Sequence, residues 1–185
     1  PISLSSTTSE QLLARFLRYV RVDSQADGQA LANRDMPIPS SKAQLDLNIQ
    51  LQQELLALGL NESQAYVDDT GSLVASFPPT SSEYAAAPTV AFFAHVDTAD
   101  SFKGTDVKPI VHVNWKGDTI ELPLNQVALD PRRQEALRGH EGDTIVTASG
   151  DTLLGADDKS GVAVLMQLAQ LLQQENSAVQ HGPVR

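Results

Sequence analysis

Two short clusters of histidine and aspartate contain the residues whose types and spacing could support chemistry. His95 and Asp97 follow the apolar run "TVAFFA" (89–94), and Asp157 and Asp158 lie in "DTLLGADDKSGVAVLM". Residues two apart in a strand point to the same side, so His95 and Asp97 are predicted to project together from a strand end. A histidine that binds a metal through one ring nitrogen is often held at the other by a carboxylate. The spacing leaves open whether Asp97 holds His95 or points towards a substrate.

The second cluster lies where a Gly-Ala turn enters an amphipathic helix. Backbone N–H groups and the helix dipole at such a start favour an ionised carboxylate, and the common outcome is a helix-capping aspartate with a solvated neighbour. The alternative is that one aspartate binds metal and bridges two divalent ions held about 3.5–4 Å apart, with a water as the nucleophile. The chain has no cysteine, so any zinc would be bound by histidine and carboxylate.

Composition excludes several other classes of function. The 185 residues carry 13 Lys+Arg against 23 Asp+Glu, a net charge of −10, which disfavours nucleic acid and anionic membrane surfaces as partners. Neither a signal sequence nor an apolar run of membrane-spanning length is evident, and a cytoplasmic location is expected. The phosphate-loop, dinucleotide, nucleophile-elbow and H-E-x-x-H motifs are all missing from the sequence.

The periodicity of apolar residues predicts the elements that position the two clusters. Amphipathic helices are predicted over 7–22, 41–59 and 159–174, the last one starting within the second cluster. Two helices therefore precede the first strand, and the final helix carries the Asp157 turn at its beginning.

Strand signals lie between these helices. The stretch "QAYVDDTGSLVASF" predicts a hairpin with a turn at 69–71, and further strands are predicted at 111–113 and in "DTIVTAS". The continuous apolar run 89–94 predicts a strand buried on both faces. The predicted fold class is α/β, with a mostly parallel mixed sheet covered by helices on both faces. The final "ENSAVQHGPVR" is predicted to begin another strand, so the sheet is expected to be incomplete.

Both clusters, together with "FLRYVRVDSQAD", "LQQELLALGL" and "GSLVASF", resemble the peptidase T family of the dinuclear zinc exopeptidase superfamily. The resemblance implies that 1–185 is the N-terminal part of a catalytic zinc-peptidase domain. The remainder of that domain, with a Glu-Glu pair that supplies the general base and a ligand, and a lid or dimerisation domain would lie outside this sequence. The implied activity is release of the N-terminal residue from short peptides, tripeptides in particular, by a full-length protein that could form a homodimer.

The resemblance also implies roles for individual residues, with two zinc ions in the complete site. His95 would be a ligand of one zinc, Asp97 the catalytic carboxylate that orients or tunes His95, and Asp157 the ligand shared by both zinc ions. Asp158 is not expected to be a ligand, and the peptide bond between Asp157 and Asp158 is expected to be cis. Lys159 is expected to be a solvated charge.

Gly161 is expected to be a close helix-packing position, and the other three histidines are expected at the surface: His112, His140 and His181. Two alternatives to the tripeptidase remain open. One is a binding or interaction domain that keeps the fold without the chemistry. The other is a different member of the superfamily, such as a dipeptidase or an N-acyl amino acid deacylase.

Overall fold

The computed structural model describes residues 6–32, 38–174 and 179–185. The helices are α1 (Ser6–Tyr19), α2 (Gly28–Ala32), α3 (Lys42–Ala57) and α4 (Ala156–Leu172), and 3-10 turns cover Ser82–Tyr84 and Glu135–Leu137. The strands are β1 (Ala65–Val67), β2 (Leu73–Ala75), β3 (Ile110–His112), β4 (Ile120–Glu121), β5 (Ala128–Leu129) and β6 (Ile145–Thr147). The first residues of the predicted terminal strand segment, 175–178, lie outside the described residues.

The three long helices follow the predicted apolar periodicity. α1 ends at Tyr19, three residues before the predicted end, because the chain then turns into an extended segment beside residue 98. α3 ends just before Gly59, whose φ of +104° belongs to the left-handed side of backbone space that glycine adopts easily. Of the described helices, none is long and apolar enough to cross a membrane.

The main core lies where α1, α3, α4 and the hairpin meet. Apolar side chains from all of these elements are buried together: Tyr19, Leu47, Leu51, Leu55, Leu60, Ala65, Phe77, Val162, Ala163, Met166 and Ala169. A polar cluster joins the three helices beside this core. Arg15 is 7% exposed and pairs with Glu54, whose Oε2 also accepts a hydrogen bond of 2.7 Å from the Tyr19 hydroxyl.

The sheet differs from the predicted one. The described strands form three two-stranded antiparallel sheets, β1–β2, β3–β6 and β4–β5, and β1–β2 is the predicted hairpin. Parallel pairing is limited to single bridges, one of which joins Val90 to Val184, while Val184 also bridges Phe77 in the antiparallel sense. Of the described helices only α3 contacts β1 and β2. The α/β class therefore holds, but a mostly parallel sheet with helices on both faces is wrong for the described residues, because their strands pair in the antiparallel sense.

The apolar run 89–94 is not buried on both faces. Val90, Phe92 and Phe93 are 52%, 47% and 92% exposed, and of this run only Ala94 packs against the main core. The run is extended but is not a regular strand: it forms a single bridge at Val90 and main-chain hydrogen bonds with one neighbour, the segment 183–185. Burial of a strand on both faces requires layers on both sides, and the described residues provide one.

A smaller core lies in the long connection between the two histidine and aspartate clusters. Trp115, Ile120 and Leu137 are buried together beneath β4, β5 and β6. β3 occupies Ile110–His112, one residue earlier than predicted, and leaves Val113 74% exposed. This small module separates the two clusters in sequence, while the main core brings them together in space.

Candidate metal centre

Asp97 holds the His95 ring. The Nδ1 atom of His95 lies 3.1 Å from Asp97 Oδ1 and 3.1 Å from the Asp97 carbonyl oxygen. Of the two alternatives that the spacing left open, Asp97 therefore holds His95 and does not point away towards a substrate. With Nδ1–H donating to this carboxylate, loss of the proton on Nε2 leaves that nitrogen in the form that can bind a metal.

The other nitrogen of the same ring faces the second cluster. His95 Nε2 lies 2.9 Å from Asp157 Oδ1, although the two residues are 62 positions apart. The predicted approach of His95 and Asp157, with Asp97 beside the ring, is confirmed as geometry. The His95 and Asp157 side chains are 52% and 95% exposed, so both are accessible to an ion or a substrate. They border a cleft of about 340 Å³ that is also lined by Thr98, Leu153 and Gly155.

The turn that carries Asp157 depends on two glycines. Gly155 has φ +75°, and a Cβ there would lie 3.1 Å from Thr98 Cγ2, so the turn packs directly on the His95 strand end. Asp157 and Asp158 have non-helical backbone angles, and the peptide bond between them is cis, as predicted. The second glycine, Gly161, lies beyond them in the first regular turn of α4.

Asp158 caps that first turn. Its Oδ1 accepts a hydrogen bond of 3.0 Å from the Gly161 N–H, the contact that a helix-capping aspartate makes. A Cβ on Gly161 would lie 2.5 Å from the same oxygen, so the glycine leaves room for the carboxylate. The capping and the metal-ligand interpretations therefore divide between the two aspartates: Asp158 caps, and Asp157 faces His95.

The prediction that Lys159 is a solvated charge is wrong. It is 1% exposed, and its Nζ donates a hydrogen bond of 2.5 Å to the Val22 carbonyl oxygen. Burial lowers the pKa of Lys159 to about 8. The sequence carried a signal for this position, because Lys159 shares helical spacing with the buried Val162, Ala163 and Met166.

Two opposing effects set the proton affinity of His95. Partial burial lowers the pKa, but the hydrogen bond with Asp157 and the negative charge of Asp97 outweigh it, so the pKa of His95 lies above its ordinary value. A proton on Nε2 would block a metal ion from that nitrogen, so any metal binding at His95 is expected to weaken as pH falls through this raised pKa.

The remaining histidines lie in other environments. His112 is half-buried with Nε2 3.0 Å from Thr147 Oγ1, and His140 is exposed with Nδ1 2.9 Å from Asp143 Oδ2. Within the described ranges, no three histidine or carboxylate side chains are grouped so that they could hold a metal ion. His95 and Asp157 thus provide two donors of the types zinc accepts, which is a partial ligand set.

Sequence reasoning missed two residues beside the site. Ser24 is fully buried and its hydroxyl donates a hydrogen bond of 2.6 Å to the carbonyl of Val96, between His95 and Asp97. Thr98 is 3% exposed, and its hydroxyl has no hydrogen-bond partner among the described residues. Ser24 lies in "FLRYVRVDSQAD", so the resemblance pointed to this segment without giving it a role.

Comparison with known proteins supports the resemblance. No protein-family model matches the chain. Proteins named peptidase T from Geobacillus thermodenitrificans and Shouchella clausii are each 38% identical to it over 177 and 176 residues, and one from Bacillus pumilus is 36% identical over 177. Each match covers 95% of this chain but only 40–41% of the relative, so the chain spans about two fifths of the length of these proteins.

A solved structure shows the same fold. The chain superposes on a tripeptidase from Staphylococcus aureus with a TM-score of 0.53 and 21% identity, over 95% of this chain and 34% of that one. At this level of identity the likeness concerns the fold alone. Together with the sequence matches, it confirms the predicted resemblance across nearly all of the 185 residues.

Proposed function

We propose that this chain, which is homologous to the N-terminal part of peptidase T, forms part of a zinc aminopeptidase that releases the N-terminal residue of tripeptides. The observation that carries the proposal is the contact of His95 Nε2 with Asp157 Oδ1 at 2.9 Å. This contact joins the two clusters that the resemblance identifies as metal motifs. The names of the relatives support the choice of peptides, and of tripeptides, as the substrates.

The two donor side chains present are of types that bind zinc, and they form part of a ligand set. His95 and Asp157 would hold the ion, since imidazole nitrogen and carboxylate oxygen are both zinc ligands, and Asp157 has a second oxygen to offer a second ion. Zinc in such a site supplies Lewis-acid polarisation of the scissile carbonyl and an activated water. A partial set of two protein donors agrees with a chain that spans two fifths of its relatives.

The other residues of the site orient these donors. Asp97 accepts a hydrogen bond from the His95 ring at Nδ1, which fixes the ring plane and keeps Nε2 directed towards Asp157. Asp158 ties the turn after Asp157 to α4 through the Gly161 N–H. The cleft of about 340 Å³ beside the site could admit the end of a short peptide.

Several further features belong to the same proposal. Residues 1–185 would be the N-terminal part of the catalytic domain, and the complete protein would contain the mostly parallel mixed sheet, for which the parallel bridge of Val90 with Val184 offers a starting register. The complete site would hold two zinc ions. A cytoplasmic location and a homodimer of the full-length protein stay predictions.

The test is a tripeptide hydrolysis assay with added zinc on purified 1–185 and on a protein extended to the length of the relatives. We expect the longer protein to release the N-terminal residue and 1–185 to be slower by about 10²–10⁴-fold, the usual effect of a missing general base. In the longer protein, His95→Gln should abolish activity. His140→Gln, which alters another exposed histidine that contacts an aspartate, should not. Equal turnover by both lengths, or by both variants, would contradict the proposal.

A further inference from the structure

One short segment, 22–26, contacts the extended segment 95–98, which carries His95. The Ser24 hydroxyl donates to the Val96 carbonyl at 2.6 Å, and the main chain pairs with Thr98 in the parallel sense. Thr98 N–H donates to the Ser24 carbonyl at 3.3 Å, and Ala26 N–H donates to the Thr98 carbonyl at 2.9 Å. The residue between His95 and Asp97 and the residue after Asp97 are therefore both fixed to this segment.

The same segment also holds the start of α4. The ammonium group of Lys159 donates to the Val22 carbonyl at 2.5 Å, from a side chain that is 1% exposed. Lys159 lies two residues after Asp157, and its Cδ lies 3.8 Å from the position that a Cβ on Gly155 would occupy. The lysine stem thus lies against the turn that carries Asp157, and its charged end is tied to 22–26.

The Asp157 side chain itself receives little other support. Asp157 is 95% exposed, and among the described residues its side chain contacts that of His95, which is 52% exposed and is held at Nδ1 by Asp97. The contact with His95 cannot fix the position of Asp157 once an ion enters between the two groups. The backbone that carries each donor therefore has to be positioned by contacts with buried residues.

We propose that the segment 22–26 is a brace that sets the separation of His95 and Asp157, with Ser24 and Lys159 as its positioning residues. This inference rests on the proposed zinc site. The brace reaches both motifs at once: it holds the His95 strand end through a buried hydroxyl and main-chain pairing, and it holds the Asp157 turn through a buried ammonium. Ser24 and Lys159 are 0% and 1% exposed, so the brace acts through the backbone that carries the two donors.

The experiment compares Ser24→Ala and Lys159→Met with Thr147→Val in the 1–185 chain. Thr147 is 5% exposed and its hydroxyl contacts His112 at 3.0 Å, so its substitution also removes one buried hydroxyl contact, away from the site. Two quantities are measured: zinc affinity by calorimetry, and the nuclear Overhauser contact between the His95 ring and the Asp157 side chain without metal. Thermal unfolding reports the stability of each variant.

We expect Ser24→Ala and Lys159→Met to weaken zinc binding about tenfold, as loss of an outer-shell partner does, and to reduce the His95–Asp157 contact. Thr147→Val should change neither quantity even if it lowers the melting temperature equally. Wild-type zinc affinity and an undiminished contact in both brace variants would overturn the inference. If wild-type 1–185 binds no zinc, the proposed metal site loses support, while the Overhauser measurement still decides whether the brace positions the two residues.

Discussion

Substitution of Gly161 by alanine tests whether the Asp158 carboxylate occupies the space beside Gly161 at the start of α4. In a helix interior, glycine to alanine stabilises by about 1 kcal/mol. Here a Cβ would lie 2.5 Å from Asp158 Oδ1 and 2.8 Å from its Cγ, so the carboxylate has to move. Asp158 would then lose its hydrogen bond with the Gly161 N–H, and loss of a helix cap costs about 1 kcal/mol. The two effects should cancel, which leaves Gly161→Ala near neutral or destabilising.

A double-mutant cycle isolates the contact. With Asp158→Ala as the background the carboxylate is absent, and Gly161→Ala should recover the full helix gain of about 1 kcal/mol. The free energy of coupling between the two positions should therefore be about 1 kcal/mol or more, measured by urea unfolding of the four proteins. If Gly161→Ala stabilises both backgrounds equally, Asp158 does not occupy the space beside Gly161, and the assignment of Asp158 as the cap fails.

Three further predictions concern the core, the polar cluster and the site. Leu47→Ala removes a side chain with 0% exposure and should lower the free energy of unfolding by about 2–5 kcal/mol in urea titrations; a change below 1 kcal/mol would place Leu47 outside the core. Glu54→Gln removes the carboxylate partner of the buried Arg15 and should cost about 3 kcal/mol, whereas an unchanged midpoint would show that the guanidinium is hydrated. In the metal-free chain, Asp157→Asn should lower the pKa of His95 in an NMR titration. Because the folded pKa is raised, protonated His95 stabilises the fold at low pH, and this contribution disappears as pH rises through the folded pKa. Asp157→Asn should reduce that stabilisation. A His95 titration curve identical to that of the unmodified chain would exclude the contact.

The parts of the fold that follow from local signals were predictable from the sequence. The helices over 7–22 and 41–59 and the hairpin turn at 69–71 depend on apolar period, glycine and turn chemistry, which act over a few residues. The exposure of residues 89–94 could not be predicted from such local signals. A continuous apolar run specifies that a strand can be buried, while exposure depends on which distant segments lie against it.

The candidate site shows the same division. The i, i+2 spacing correctly placed His95 beside Asp97, and the resemblance correctly paired the strand end with the Asp157 turn. The solvated role expected for Lys159 is wrong because a charge does not by itself decide exposure: its spacing from Val162 places it on the buried face of α4. The role of Ser24 could not have been read from spacing, since its contact with Val96 joins residues 72 positions apart.

The most direct test of the zinc site is the anomalous scattering of zinc in crystals of the protein extended to the length of its relatives. A zinc peak about 2.0–2.2 Å from both His95 Nε2 and an Asp157 carboxylate oxygen, with Asp97 still against His95 Nδ1, is the expected result. A well-ordered site at saturating zinc with no peak between His95 and Asp157, or with zinc bound by other residues only, would contradict the assignment of these two residues as metal ligands.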